Sequence, residues 1–406
     1  MQIAYLDLMF RAAVAAVDPA ALVERALLDL ELDPAGRPVT VLALGKAAPG
    51  MVWGAHRVFG DDVTGVAALA APGPLPAGVR GIVGGHPIPD HRSVLAGESL
   101  LATAAAVAPG SLVLCLVSGG GSALAEVPAP GLDIGDLAAV NRLLLDSGAA
   151  ITEVNLVRRA MSQIKGGRLG ARMATARLVT LAISDVGSAP PATIASGPTC
   201  GAPDNGPAPQ QVMADYCLLG RIPDRVIRVL AAGHAVQVPD HVFAVIADGS
   251  TAAAAAAAKA ESLGLTATIA AKELSGEARD EARRVLRDMP GGPVDVVVHA
   301  GETTVAVTGS GHGGRNHEAA LSAAIALDGR RGAFLAGGTD GLDGSAAGAG
   351  AVVDGTTADI GRRLGCEPSR YLAANDSGGF FDVVPGRIVT GPTGTNVADL
   401  WLAAPQ

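Results

Sequence analysis

Seven short, nearly unbroken apolar runs constrain this chain more than any other feature; they fall at 39–44, 112–117, 178–183, 242–247, 294–298, 332–336 and 387–390. Runs of this length without polar alternation belong to strands buried on both faces. Between them lie Ala- and Leu-rich segments of helical length at 21–30, 94–106, 134–145, 151–164, 251–263, 276–288 and 317–326. Strands alternating with helices build a parallel sheet covered by helices, so an α/β fold is expected. Ser250 is expected to cap the helix at 251–263, whose alanines have the highest helix propensity.

Composition decides against disorder. The 54 glycines and 26 prolines make up about a fifth of the 406 residues, a density that hints at an unfolded chain. Yet 49% of residues are hydrophobic, 17% are charged, and the mean hydropathy is +0.36, which demands a large core. The length fits two domains. Their boundary is expected between Pro203 and Pro239, where residues 202–209 read Ala-Pro-Asp-Asn-Gly-Pro-Ala-Pro, giving domains 1–238 and 239–406. A net charge of −9 disfavours a nucleic-acid partner. Aromatics are only 3%, so binding must rest on backbone amides and a few charges. Cys115, Cys200, Cys217 and Cys366 form no C-x-x-C pair, which argues against zinc and a disulfide framework. The N-terminus lacks the signal-peptide pattern, and the most apolar stretch, 100–117, is broken by Pro109-Gly110. A cytoplasmic monomer or homodimer without a membrane partner is expected.

Glycine clusters follow the expected strands, where open α/β sheets bind ligands. Leu44-Gly45-Lys46-Ala47-Ala48 runs from strand into helix and places Lys46 at a helix N-terminus, a natural seat for phosphate or carboxylate. It is not a Walker A loop, because Thr40 stands where a glycine is needed. Ser118-Gly119-Gly120-Gly121-Ser122 has the composition of an amide nest around an anion, with the serine hydroxyls as further donors. Asp185, at the end of a buried strand, is either a turn cap or a group for Mg²⁺ or a proton, and the nearby anion loop favours the second. Gly309, Gly311 and Gly314 satisfy G-x-G-x-x-G literally after a Thr/Val alternation expected to form a strand. Gly313-Gly314-Arg315 reads better as an anion site with a bidentate arginine than as a dinucleotide fingerprint. Asp340 and Asp343, beside glycines, are turn formers or Mg²⁺ carboxylates. No histidine spacing suits a transition metal, and no G-x-S-x-G elbow occurs.

In their order along nearly the whole chain these motifs resemble the glycerate 2-kinase family, the class II glycerate kinases also labelled hydroxypyruvate reductases. The resemblance is carried by Gly45-Lys46-Ala47-Ala48, Gly85-His86-Pro87-Ile88-Pro89-Asp90, Ser118 to Ala123, Asn155-Leu156-Val157-Arg158, Ile164-Lys165-Gly166-Gly167-Arg168-Leu169 and Ser184-Asp185-Val186. It continues in Ala195-Ser196-Gly197-Pro198-Thr199, Gly301-Glu302-Thr303-Thr304, Gly313-Gly314-Arg315-Asn316, Thr339-Asp340-Gly341-Leu342-Asp343-Gly344, Asn375-Asp376-Ser377 and Gly391-Pro392-Thr393-Gly394-Thr395-Asn396. It implies a Rossmann-like N-terminal domain, a smaller mixed α/β C-terminal domain with a MOFRL-type region at about 295–400, and an active site in the interdomain cleft. It also implies ATP- and Mg²⁺-dependent phosphorylation of D-glycerate at its 2-hydroxyl. Lys46 and Arg315 match the family's catalytic pair and Ser118 to Ser122 its phosphate loop; Asp185 is expected to orient the substrate hydroxyl or hold Mg²⁺, with Asp340 and Asp343 as its rivals. The substrate carboxylate would fall to Arg315, Lys165 or helix-terminal amides. Gly187-Ser188-Ala189-Pro190-Pro191, Ala160, His317 and Gly378 depart from the family pattern and bear on substrate identity more than on phosphoryl transfer. The rival reading from the G-x-G-x-x-G match is an NAD(P)H-dependent hydroxypyruvate reductase, and a third is a member that binds nucleotide or hydroxy acid with altered or lost turnover.

Overall fold

Six strands of the first half form one sheet: β1 Val39–Leu44, β2 Val63–Leu69, β3 Val79–Val83, β4 Leu112–Ser118, β5 Arg177–Ile183 and β6 Val242–Ala247. Their order is β3-β2-β1-β4-β5-β6, and β3 through β5 pair in parallel. This is the doubly wound order, whose direction of growth reverses between β1 and β4. Leu42, Leu44, Val113, Cys115 and Val117 pack against Ala96, Leu100 and Ala104 of the helix His91–Ala105. β2 escapes a sequence reading because Gly65 interrupts it. A Cβ there would lie 1.9 Å from the Val41 carbonyl oxygen, so the glycine permits close pairing with β1.

The second sheet holds β7 Ala267–Ile269, β8 Val296–Gly301, β9 Ala333–Gly338, β10 Gly350–Asp354, β11 Arg387–Ile388 and β12 Asp399–Ala404, in the order β11-β10-β9-β12-β8-β7. Only β7 and β8 pair in parallel, so the sheet is mixed as expected. The strand β12 lies between β8 and β9 and is fully buried, although it is not among the seven apolar runs read from the sequence. Trp401 of β12 meets Phe334 of β9 edge to face at 5.5 Å, and the alanine-rich helix Arg315–Leu327 packs into the same core.

This computed structural model describes residues 2–187, 189–201, 207–232, 236–289 and 294–404, so Ser188 and the expected linker residues 202–206 lie outside the described residues. The chain divides into two units: Pro19–Ile183 with Ser188–Ile246, and Met1–Asp18 with Ser184–Gly187 and Ala247–Gln406. A single change at 238–239 therefore does not describe the division. β6 completes the first sheet, while the first helix, Gln2–Ala16, packs on the second unit, where a Cβ on Gly337 would lie 2.7 Å from the buried Phe10 ring. Ser184–Gly187 joins that unit too, the Ser184 amide donating to the Ala247 carbonyl at 2.9 Å.

Three local expectations are corrected. Residues 303–308 form no strand; their polar groups bond instead to Gly276, Glu277 and Asn375. Asp248, not Ser250, caps the helix Gly249–Ser262, accepting from the Thr251 amide at 3.1 Å, and Ser250 donates to the same carboxylate. The helix expected at 151–164 ends at Ala160. Among the described residues no helix is long and apolar enough to cross a membrane.

Candidate active site

The first unit gathers its candidate groups at the switch point between β1 and β4. Gly45 leaves β1 at φ 128°, and a Cβ on it would lie 2.1 Å from Ser118 Oγ, so only glycine lets the two strand ends meet. The Lys46 amide then donates to the Gly119 carbonyl at 2.9 Å, and the Ala47 amide to Ser118 Oγ at 3.0 Å. Ser118 is thus a buried brace, not the exposed donor expected of it, because its hydroxyl is turned inward to Ala47. Gly120, at φ 81°, starts the one-turn helix Gly121–Leu124. It lies between Lys46 and His86: a Cβ there would come within 3.3 Å of Lys46 Cγ and 3.2 Å of His86 Nε2. No described backbone carbonyl receives the amides of Gly120, Gly121 or Ser122. They are first-turn donors suited to an anion. Ala195, at positive φ like Ser196 after it, presses on this loop, its Cβ 2.9 Å from where a Gly121 Cβ would stand. Backbone strain of this kind persists only where its surroundings enforce it.

Lys165 does not line up with these donors. Its Nζ is fully buried in an ion pair with Glu126, which also accepts from Ser162 Oγ at 2.5 Å and from the Val127 amide at 3.0 Å. Burial pulls Lys165 below the ordinary lysine range against the attraction of Glu126. Ser162 in turn accepts from the amides of Ile164 and Lys165, which is what ends the preceding helix early. Lys165→Met, which leaves Glu126 buried without its cation, is expected to lower unfolding stability by about 3–5 kcal/mol in urea denaturation. Adding Glu126→Leu should recover most of it; a single variant within about 1 kcal/mol of wild type would show the pair holds little.

In the second unit Arg315 opens its helix with a forked hold on Asp399 at the start of β12, from Nε at 2.5 Å and Nη2 at 3.0 Å. Its Nη1 reaches Glu302 at 2.6 Å. Burial pushes the Asp399 carboxyl up to about 6, opposed by Arg315, while the two carboxylates hold Arg315 above its ordinary value. Asn316 also donates to Asp399, at 3.0 Å, and accepts from Trp401 Nε1 at 2.9 Å. Asp399 was not singled out from sequence and Glu302 only within the Gly301–Thr304 motif, and nothing in the spacing links residues so far apart.

Asp343 faces inward. Its oxygens accept from the amides of Asn316 (3.1 Å) and His317 (2.8 Å) and from His317 Nδ1 (2.6 Å), so it is the buried cap of the Arg315 helix, with no oxygen turned to a cation. The Gly313 amide is taken by Ser345 Oγ at 3.1 Å, and a Cβ on Gly314 would lie 2.4 Å from Asp343. Gly313 and Gly314 therefore close the chain against its own carboxylate, and the helix amides beside them are filled. Gly309 and Gly311 likewise face Ala374 and Asp376, where a Cβ would come within 2.0 and 2.3 Å.

Asp185 accepts from Asn396 Nδ2 at 3.1 Å, and Asp340 accepts the Leu342 amide at 3.0 Å while its carbonyl receives the Thr393 amide. Both carboxylates are partly exposed. The loop 393–396 links them and buries Thr395 Oγ1 without a partner. Among the described residues no three His, Cys, Asp or Glu side chains are arranged to hold a metal. Mg²⁺ needs no such cage, since one or two carboxylates suffice when phosphate and water complete its octahedron. Asp185 and Asp340 fit that demand; Asp343 does not.

A family model described as a domain of unknown function, DUF4147, matches residues 5–231, and the MOFRL family model matches residues 295–399. D-glycerate 2-kinase of Thermotoga maritima is 35% identical over 402 residues, 95% of this chain and 94% of the relative. A protein of Agrobacterium vitis, provisionally named a hydroxypyruvate reductase, is 39% identical over 376 residues, 89% of this chain and 97% of its own. The crystal structure of glycerate kinase from Thermotoga maritima matches with a TM-score of 0.89 at 33% identity, covering 100% of this chain and 99% of that one. The chain belongs to the glycerate kinase family, with a DUF4147 domain followed by a MOFRL region.

Proposed function

We propose that the protein transfers the γ-phosphoryl group of ATP to the 2-hydroxyl of D-glycerate or a related small 2-hydroxy acid, giving the 2-phosphate and ADP. The observation that carries this reading is the switch-point arrangement of the first unit, where Lys46 stands beside the unengaged amides of Gly120–Ser122 in a chain of this family. Phosphoryl transfer has a loose transition state, so positioning and charge neutralisation do most of the work. Lys46 and the loop amides hold phosphate oxygens; Arg315, kept rigid by Asp399, meets the charge on the transferred group. Asp185 orients the substrate hydroxyl and accepts its proton as the new P–O bond forms and the bond to ADP breaks. Mg²⁺, when bound, would neutralise phosphate charge, and Asp340 would hold it.

The reductase reading loses its main support, because the glycines of the fingerprint are packed against Ala374, Asp376 and Asp343 and follow no strand. A pyrophosphate needs that space open. Purified protein with ATP, Mg²⁺ and D-glycerate is expected to release ADP and form 2-phosphoglycerate, identified by ³¹P NMR. Silence with every 2-hydroxy acid, together with NADH oxidation by hydroxypyruvate, would overturn the assignment.

A further inference from the structure

Above the Lys165–Glu126 pair lies a cavity of about 170 Å³, lined by the helix Ile134–Asp146, by Arg158 and Met161, and by Ile88 and Pro89. Its charged lining comprises three cations, Arg142, Arg158 and Lys165, and two carboxylates, Glu126 and Asp146. One positive charge is left over, in a chain whose net charge is −9. Lys165 and Glu126 neutralise each other, and Arg142 and Asp146 are exposed at the rim.

Arg158 is the residue without a counterpart. Two neighbouring arginines, also half-buried, are satisfied by backbone: Arg159 donates to the Ala192 carbonyl at 2.9 Å, and Arg168 to those of Arg159 and Lys165 at 2.7 and 3.1 Å. Among the described residues the Arg158 guanidinium makes no hydrogen bond or ion pair, and burial draws its pKa down despite Glu126 nearby. Asn141, of the same lining, has its Oδ1 buried with no partner. A half-buried guanidinium without a hydrogen-bond partner is a strong demand for an anion. The cavity has room for about five or six groups of water size, at ~30 Å³ each, and apolar walls from Leu137, Val140 and Met161.

The cavity also borders the phosphate loop through the chain. His86 stands at Gly120 and Lys46, and Ile88, two residues on and at most ~7 Å of chain away, lines the cavity. We propose that this cavity is the acceptor's carboxylate subsite, in which Arg158 pairs with the carboxylate of a 2-hydroxy monocarboxylic acid. The inference rests on the kinase reading. With one surplus charge and apolar walls, the subsite excludes 2-hydroxy dicarboxylic acids, whose second carboxylate would be buried unpaired.

Steady-state kinetics of Arg158→Gln and Asn141→Asp against D-glycerate and a 2-hydroxy dicarboxylic acid test this, with circular dichroism to verify the fold. Expected is an increase in KM for D-glycerate of about 10- to 100-fold, the loss of one charge-assisted pair, with KM for ATP and kcat near wild type. Arg158→Lys should fall between. Asn141, partly exposed on its helix, gives the variant less apt to disturb folding. Active variants with unchanged KM for D-glycerate, or efficient turnover of the dicarboxylic acid, would overturn the subsite and leave the kinase assignment standing. If wild type phosphorylates no 2-hydroxy acid, the kinase assignment fails instead. Calorimetric binding of D-glycerate alone then decides the pocket: binding lost in Arg158→Gln supports it, and absent or unaffected binding removes it.

Discussion

Arg315→Ala is expected to lower kcat for ADP release by about 10³-fold or more, the scale on which an arginine at a transferring phosphoryl group acts. The same change strands Asp399, whose buried carboxyl is already pushed up to about 6. Without its forked partner Asp399 would take up a proton near neutrality and weaken the junction of β12 with the Arg315 helix, a loss of about 3–5 kcal/mol. Arg315→Lys separates the two effects. It keeps a cation near Asp399 and Glu302 but not the planar fork that fixes its direction, so the fold should survive while kcat still falls steeply. Thermal unfolding and ADP release measured on both variants check this. A folded lysine variant within about tenfold of wild type would make Arg315 a structural tie for β12 and remove it from the chemistry.

The strands that sequence revealed are those whose side chains are buried on both faces. β1, β4 and β5 carry almost nothing but apolar residues because helices cover both sides of the sheet. β12 carries the same apolar signature in Leu400-Trp401-Leu402 but follows a glycine-rich loop, and its central place between β8 and β9 depends on pairing that no local pattern encodes. The Thr/Val alternation at 303–308 misled in the opposite direction. Its amides find Glu277 and Asn375 rather than a strand.

The candidate site was legible to the same extent. Lys46 could be read from strand, glycine and helix in succession, since all three constraints are local. The glycines at 309–314 could not be interpreted locally, because a missing side chain makes room for any neighbour. Here the neighbours are the turn at Ala374–Ser377 and the Asp343 carboxylate, not a ligand. Asp343 was ambiguous for the same reason: a carboxylate that caps a helix and one that holds a cation look alike until the helix 27 residues earlier in the chain is placed against it. Arg158 was quoted only as part of a motif, and its lack of a partner is a property of the folded cavity.

Lys46→Ala is expected to lower kcat by about 10²- to 10³-fold, the range seen when one preorganised charge is removed from a developing anion. The fold should be untouched. The bonds that hold this turn run from the Lys46 and Ala47 amides to Gly119 and Ser118, and all of them survive truncation of the side chain. Circular dichroism and thermal unfolding should therefore show a folded variant. The loop amides of Gly120–Ser122 remain, so ATP should still bind, with KM raised less than kcat is lowered. That split distinguishes a group acting on the transferring phosphoryl from one that merely attracts the nucleotide, which would raise KM and spare kcat. An alanine variant releasing ADP at the wild-type rate would take Lys46 out of the reaction and leave the glycine loop to hold the phosphates by backbone alone.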